Sequence, residues 1–258
     1  MYKIVFFDVD GTLLSEIDRK MPLSTKVAIE KLMERGIKVV LATGRPYNLC
    51  AEFKMMGIDT FISANGALVK CNENTIYKSV LTTETVESVS AFAELNGHGI
   101  SYFTEGYTMN GIGSENGRIM NALRETLSLM DYPEKMGSLS EEIYGMCLYA
   151  DDSEAQKFVD RFPALSFKRW HGYVMSVFEE TEACKSSAIQ RVLEHFNICK
   201  SEAIAFGDGG NDIDMLEYVG LGIAMGNGGQ QLQQIADFVT KKASEDGISY
   251  ALEKFGII

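Results

Sequence analysis

Short uninterrupted apolar runs alternate along this chain with stretches whose apolar residues recur every three or four positions. The first run, Ile4-Val5-Phe6-Phe7, is β-branched and aromatic and reads as a buried strand. It leads straight into Asp8-Val9-Asp10-Gly11-Thr12. Side chains two apart in an extended segment point the same way, so Asp8 and Asp10 are expected to project together from the carboxyl end of the strand. Gly11 then permits a sharp turn. A helix follows, with Ser24 as its expected N-cap, Ile29, Leu32 and Met33 as its apolar stripe and Gly36 at its end. A second strand over 37–42 ends at Thr43-Gly44-Arg45-Pro46. Pro46 suits the first position of a helix running to about Gly57, and a third strand covers 61–63. Asn65-Gly66 is the dipeptide of a type I′ hairpin turn, with 67–69 as the return strand.

Near Thr82 the rhythm changes. Val86, Val89 and Ala93 mark a helix. Strands are expected over 100–103, 144–149, 165–169 and 173–178, with helices over 118–129 and 153–162 among them. From about Glu182 the first rhythm returns. Ile189, Val192, Leu193 and Phe196 form a helical stripe, and a buried strand over 203–206 ends at Gly207-Asp208-Gly209-Gly210-Asn211-Asp212. A helix carrying Met215, Leu216 and Val219, a strand over 221–225, a helix over 230–236, a short strand over 238–240 and a helix over 248–255 complete the pattern. This alternation predicts an α/β fold, a Rossmann-like parallel sheet with helices on both faces. The expected division is a core of residues 1–82 and 181–258 and an inserted α+β domain of residues 83–180.

Composition narrows the partners. The 258 residues are 46% hydrophobic, as in ordinary globular proteins, and carry a formal net charge of −12. That charge repels nucleic acid and anionic membranes, so neither is expected as a partner. Cys50, Cys71, Cys147, Cys184 and Cys199 are scattered and odd in number, without CxxC spacing, which fits reduced thiols and a cytoplasmic location. The opening apolar run is broken at once by Asp8, unlike a signal peptide, and no run approaches a membrane span.

The polar groups gather at strand ends and helix starts: Asp8 and Asp10; Thr43, Gly44 and Arg45; Lys185; and Asp208, Asn211 and Asp212. Ligands of an open α/β sheet bind at the carboxyl ends of its strands. Several carboxylates near one point repel one another and make an oxygen-rich site suited to Mg²⁺, which commonly sits beside phosphates. A hydroxyl, a lysine and backbone N–H groups suit the oxygens of a transferring phosphoryl group. One carboxylate can act as nucleophile and a second as general acid and base. Arg45 suits either a phosphate or a neighbouring carboxylate. Asn65 reads as a turn residue, Asp214 as part of a solvated face, and Trp170 and His171 as either packing or pocket lining.

Asp8-Val9-Asp10-Gly11-Thr12, Ala42-Thr43-Gly44-Arg45, Lys185 and Gly207-Asp208-Gly209-Gly210-Asn211-Asp212 resemble the four motifs of the haloacid dehalogenase-like superfamily. More narrowly, the chain resembles its Cof-type phosphatases with a type-II, subtype-B cap. Ser63-Ala64-Asn65-Gly66-Ala67, Ala224-Met225-Gly226-Asn227 and Glu245-Asp246-Gly247 resemble further stretches of that subfamily. The resemblance implies that Asp8 is the nucleophile and forms a phospho-aspartate, and that Asp10 is the acid and base. It implies Mg²⁺ held by Asp8, Asp208 and the main-chain carbonyl of Asp10. Thr43 and Lys185 would contact the phosphoryl oxygens, and Asn211 and Asp212 would support the metal site and Lys185. Gly44, Arg45 and Asn211 join the expected phosphate- and substrate-binding group. Two departures stand out: Lys185-Ser186 where the subfamily usually has Lys-Gly, and Gly228 where it usually has Ala, read as a variation at a helix start.

The expected activity is Mg²⁺-dependent hydrolysis of a small phosphorylated metabolite, with a sugar phosphate favoured. A phosphosugar mutase of the same superfamily is the first rival. A receiver-like module, phosphorylated on Asp but not an enzyme, is the second; it would lack a general acid at the position of Asp10. Monomer and dimer both stay open.

Overall fold

The computed structural model describes residues 1–137, 141–179 and 183–258. The chain forms two compact units. One comprises residues 1–44, 53–77 and 184–258; the other comprises residues 45–52 and 78–183. The expected second junction, at 180–181, and the expected return of the first rhythm at Glu182 lie outside the described residues.

In the first unit, β1 (Ile4–Phe7) is buried along its whole length. A strand with parallel neighbours on both sides and helices on both faces has no solvent side, hence its unbroken apolar run. Helix α1 (Leu23–Glu34) leads to β2 (Lys38–Ala42). A 3₁₀ turn and the single-turn α2 (Ala51–Lys54) lead to β3 (Thr60–Ser63), β4 (Leu68–Cys71) and β5 (Asn74–Lys78). The chain then enters the second unit: α3 (Thr83–Leu95), β6 (Gly99–Phe103), β7 (Tyr107–Met109), α4 (Gly117–Leu127), β8 (Gly145–Tyr149), α5 (Asp152–Arg161), β9 (Leu165–His171) and β10 (Val174–Glu179). It returns to the first through α6 (Lys185–Phe196), β11 (Ala203–Gly207), α7 (Ile213–Tyr218), β12 (Leu221–Ala224), α8 (Gln230–Ile235), β13 (Phe238–Val239) and α9 (Gly247–Lys254).

The first unit's sheet has the order β13-β12-β11-β1-β2-β3-β4-β5. β1 pairs in parallel with β2 and β11, and β3 pairs antiparallel with β4. Phe7 and Phe206, register partners on β1 and β11, stack with ring centroids 5.0 Å apart. Ile4, Phe6, Val40, Ile62, Ile189, Val192, Ala205 and Met215 belong to one apolar cluster on this sheet. The second unit is an antiparallel sheet, β7-β6-β8-β10-β9, whose Ile100, Tyr102, Met146, Leu148 and Val177 bury against Val86, Val89 and Phe158 of α3 and α5.

Several local expectations change. Pro22, not Ser24, stands at the N-cap of α1 and offers no side-chain cap; Ser24 lies inside the helix and donates to Asp246 Oδ1 at 2.5 Å. Asn65-Gly66 does not make a two-residue hairpin. Ser63 pairs with Leu68 across a four-residue connection in which Ala64, Asn65 and Gly66 all take positive φ. The helix expected from Pro46 to Gly57 is a 3₁₀ turn, Tyr47–Cys50, followed by α2. Strands β5 and β7 have no counterpart in the sequence reading. The first is mostly polar and half exposed, and the second has only three residues, so neither shows a period.

Candidate active site

β11, β1 and β2 lie side by side and run parallel, so their carboxyl ends share one edge of the sheet. Asp208, Asp8 and Thr43 each follow one of these ends directly. Lys185 reaches the same place as the first residue of α6.

Lys185 is buried, and its Nζ lies 2.6 Å from Asp8 Oδ1 and 2.6 Å from Asp212 Oδ1. The other oxygen of Asp212 accepts from the backbone N–H groups of Asp208 at 3.0 Å and Gly209 at 2.9 Å. Asp212 therefore fixes both the lysine and the turn after β11. A Cβ on Gly207 would come within 2.5 Å of the Asp212 Cβ, so this turn closes only around glycine. Ser186, where the resemblance favours Gly, donates its backbone N–H to Asp214 Oδ2 at 2.8 Å. Asp214 is thus not simply a solvated acid: it holds an N–H of the first turn of α6, where a negative charge is favourable.

Among the described residues, Asp8, Asp208 and Asp212 bring carboxylate oxygens within 4.8 Å of one another. Asp10 is placed differently from the simple extended-strand expectation. β1 stops at Phe7, Val9 lies in a turn, and Asp10 forms an isolated bridge with Leu14, so the two-residue alternation does not carry through. The Asp10 charge still acts on Asp208. Burial, aided by the charges of Asp212 and Asp208, holds the Asp8 carboxyl well above the usual carboxylate range even against Lys185. Burial and then Asp212 push Asp208 up to about 7. Burial works against the charge of Lys185, but Asp212 and Asp8 outweigh it and raise its pKa. Three carboxylates thus share one ammonium. This excess of hard, anionic oxygen donors fits a small divalent cation such as Mg²⁺.

The remaining expected residues divide. Thr43 is buried, its N–H donates to the Ile62 carbonyl at 2.9 Å and its carbonyl accepts from Asn65 N–H at 3.1 Å. A Cβ on Gly44 would sit 3.1 Å from Asn65 Oδ1, and the same oxygen accepts from Asn211 Nδ2 at 2.9 Å. Asn65 is therefore more than a turn residue: it joins the loop after β2 to the loop after β11. Arg45 belongs to the second unit, where it is buried with Nη1 3.7 Å from Glu52 Oε1, the carboxylate-pairing alternative. In that unit Trp170 is about half exposed, and His171 Nε2 lies 2.9 Å from Glu125 Oε2.

Asn227 was not among the expected site residues. Its Nδ2 donates to the Gly11 carbonyl at 2.8 Å and to Asp208 Oδ2 at 3.2 Å. Its position just beyond β12, another parallel strand ending at the same edge, was the available signal. Gly228 lies in the turn after β12, before α8 begins, and a Cβ there would sit 3.2 Å from the Asp208 carbonyl oxygen. Its place is a close approach of two backbones rather than a helix start.

The sequence matches the haloacid dehalogenase-like hydrolase family over residues 5–252. The Bacillus subtilis (strain 168) protein named "Putative phosphatase YkrA" is 34% identical over 259 residues, covering 99% of this chain and 98% of that protein. The subclass IIB sugar phosphatase BT4131 superposes with a TM-score of 0.85 at 32% identity, over 99% of this chain and all of that one. The phosphatase BT1666 from Bacteroides thetaiotaomicron gives a TM-score of 0.85 at 30% identity, over 100% of this chain and 96% of that one. With its four motifs gathered at one sheet edge, this chain belongs to the haloacid dehalogenase-like hydrolases, in their Cof-type phosphatase branch.

Proposed function

We propose that this hydrolase is a Mg²⁺-dependent phosphatase that cleaves a small phosphorylated metabolite, a sugar phosphate in the first instance, through an aspartyl-phosphate on Asp8. The observation that carries the reading is the buried contact of Lys185 Nζ with Asp8 Oδ1, with Asp208 and Asp212 close by, at the ends of adjacent parallel strands. Asp8 attacks phosphorus, and the bond from phosphorus to the ester oxygen breaks. Asp10 gives that oxygen its proton and then takes one from the water that hydrolyses the acyl phosphate. Lys185 and Thr43 hold the phosphoryl oxygens. Asp8, Asp208 and the Asp10 carbonyl would hold Mg²⁺, which supplies positive charge for the phosphoryl oxygens as they accumulate it. Asn211 and Asp212 support that arrangement, and the middle unit is assigned the choice of leaving group. A sugar phosphate is favoured by the 32% identity to BT4131 over nearly the whole chain.

The test is a panel of phosphorylated metabolites assayed for inorganic phosphate with Mg²⁺, ranked by kcat/KM, for the native protein and Asp8→Asn. Release of phosphate by the native protein, abolished by EDTA and by Asp8→Asn, is expected. Full activity in EDTA would overturn the metal assignment, and appreciable turnover by Asp8→Asn would overturn the nucleophile. Phosphoryl transfer to a second sugar, without release of phosphate, would make the protein a mutase. A long-lived phospho-aspartate without turnover would make it a receiver.

A further inference from the structure

Every polar atom of the Asn227 carboxamide is engaged. Nδ2 donates to the Gly11 carbonyl at 2.8 Å and to Asp208 Oδ2 at 3.2 Å, and Oδ1 accepts from the Ala243 N–H at 3.0 Å. A primary amide has two N–H donors, and here both point at segments of the catalytic edge. On the opposite side, Thr12 Oγ1 donates to Asp208 Oδ1 at 3.3 Å. The two oxygens of Asp208 are thus gripped from different segments. The Gly11 backbone lies so close that a Cβ there would fall 2.1 Å from Asp208 Oδ2. Both side-chain donors are neutral. A lysine in either place would neutralise the carboxylate, whereas an amide and a hydroxyl fix its orientation and leave its charge for a cation.

We infer that Asn227 is a positioning residue for cation binding: it sets the rotation of the Asp208 carboxylate and keeps the Gly11 carbonyl, and with it the Asp10–Gly11 turn, in register with that carboxylate. The inference rests on the Mg²⁺ reading above. The competing role is a purely structural tie through Ala243 to the 3₁₀ turn Ala243–Glu245 near the end of the chain. The two roles differ in what they do to the cation.

The experiment uses the full chain, stripped with EDTA and dialysed, with Mn²⁺ as the probe and free Mn²⁺ counted from its electron paramagnetic resonance signal. Asn227→Ala should raise the Mn²⁺ Kd about 10–100-fold, the range expected for removing a group that orients a metal ligand. Asn227→Gln keeps both donors and the acceptor but shifts them by one methylene. It should raise the Kd in the same direction with an unchanged far-ultraviolet spectrum, and it serves if the alanine variant unfolds. A folded Asn227→Ala with a Kd within about twofold of native and a lower Tm in EDTA would assign Asn227 to the structural tie and overturn the inference, leaving the Mg²⁺ reading intact. A native protein that binds no Mn²⁺ would overturn that reading and this inference together.

Discussion

Asp208→Asn should make the cation-free protein more stable and catalytically dead. The substitution keeps the shape and the hydrogen-bond network: the new carbonyl can accept from Asn227, and the new amide can donate to the Thr12 hydroxyl, which accepts as readily as it donates. Only the charge is lost. Asp208 in the folded protein titrates at about 7 against an ordinary value of 3.8, because burial and then Asp212 disfavour its ionised form. A carboxylate raised in this way contributes stability that is fully present below pH 3.8 and is lost as the pH rises through about 7. A rise of about three units corresponds to roughly 4 kcal/mol, and solvent relaxation around this partly exposed group reduces it to about 2 kcal/mol. For a chain of this size that is a Tm difference of roughly 4–8 °C. The assay is thermal unfolding followed by circular dichroism in EDTA from pH 4 to pH 8. The two proteins should melt together near pH 4 and diverge as the pH rises, with the variant higher at pH 8. Mg²⁺ should then raise the Tm of the native protein and leave the variant unmoved. Parallel curves, or a variant that melts lower at pH 8, would refute the electrostatic account of this site.

Two further substitutions probe the same edge. Lys185→Met leaves Asp8 and Asp212 buried without their cation and should cost about 3–5 kcal/mol near neutral pH, a loss that shrinks in acid as the carboxylates take up protons; denaturant melts at two pH values measure it. Gly11→Ala puts a Cβ 2.1 Å from Asp208 Oδ2 at a backbone φ of +83°, so it should lower both Tm and kcat, whereas Gly36→Ala, with nothing within 4 Å of its Cβ and a φ of +73°, should lower the stability by about 1 kcal/mol and spare kcat.

The parallel part of the fold was legible because its strands are buried on both faces and therefore written as plain apolar runs, Ile4–Phe7 and Ala203–Gly207 above all. The site was legible for a related reason: a parallel sheet delivers its strand ends to one edge, so Asp8, Thr43 and Asp208 could be brought together from the order of elements alone. What escaped was carried by single side chains acting across the chain. Asn227 serves Gly11 and Asp208, Asn65 serves Asn211, and Asp214 serves the Ser186 N–H; each of these residue types is common in loops, and even the subfamily-like stretches around Asn65 and Asn227 do not name the distant partner of the side chain. The Ser24 cap failed because Pro22 already starts the helix, and the hairpin failed because Ala64 joined Asn65 and Gly66 at positive φ.

The position of β1 between β2 and β11 also constrains how the protein can be made. β1 leaves the ribosome well before the partner on one of its sides, Ala203–Gly207. At about 5–20 residues per second, the intervening stretch takes roughly 10–40 s to synthesise. Throughout that time Ile4–Phe7 has an open hydrogen-bonding edge and four apolar side chains, the features that invite pairing with another nascent chain. Asp8 cannot meet Asp208 before that second strand is made, so this sheet edge stays incomplete until then, and slower elongation through the stretch between β1 and β11 should lengthen the exposure of β1 rather than help the protein to fold.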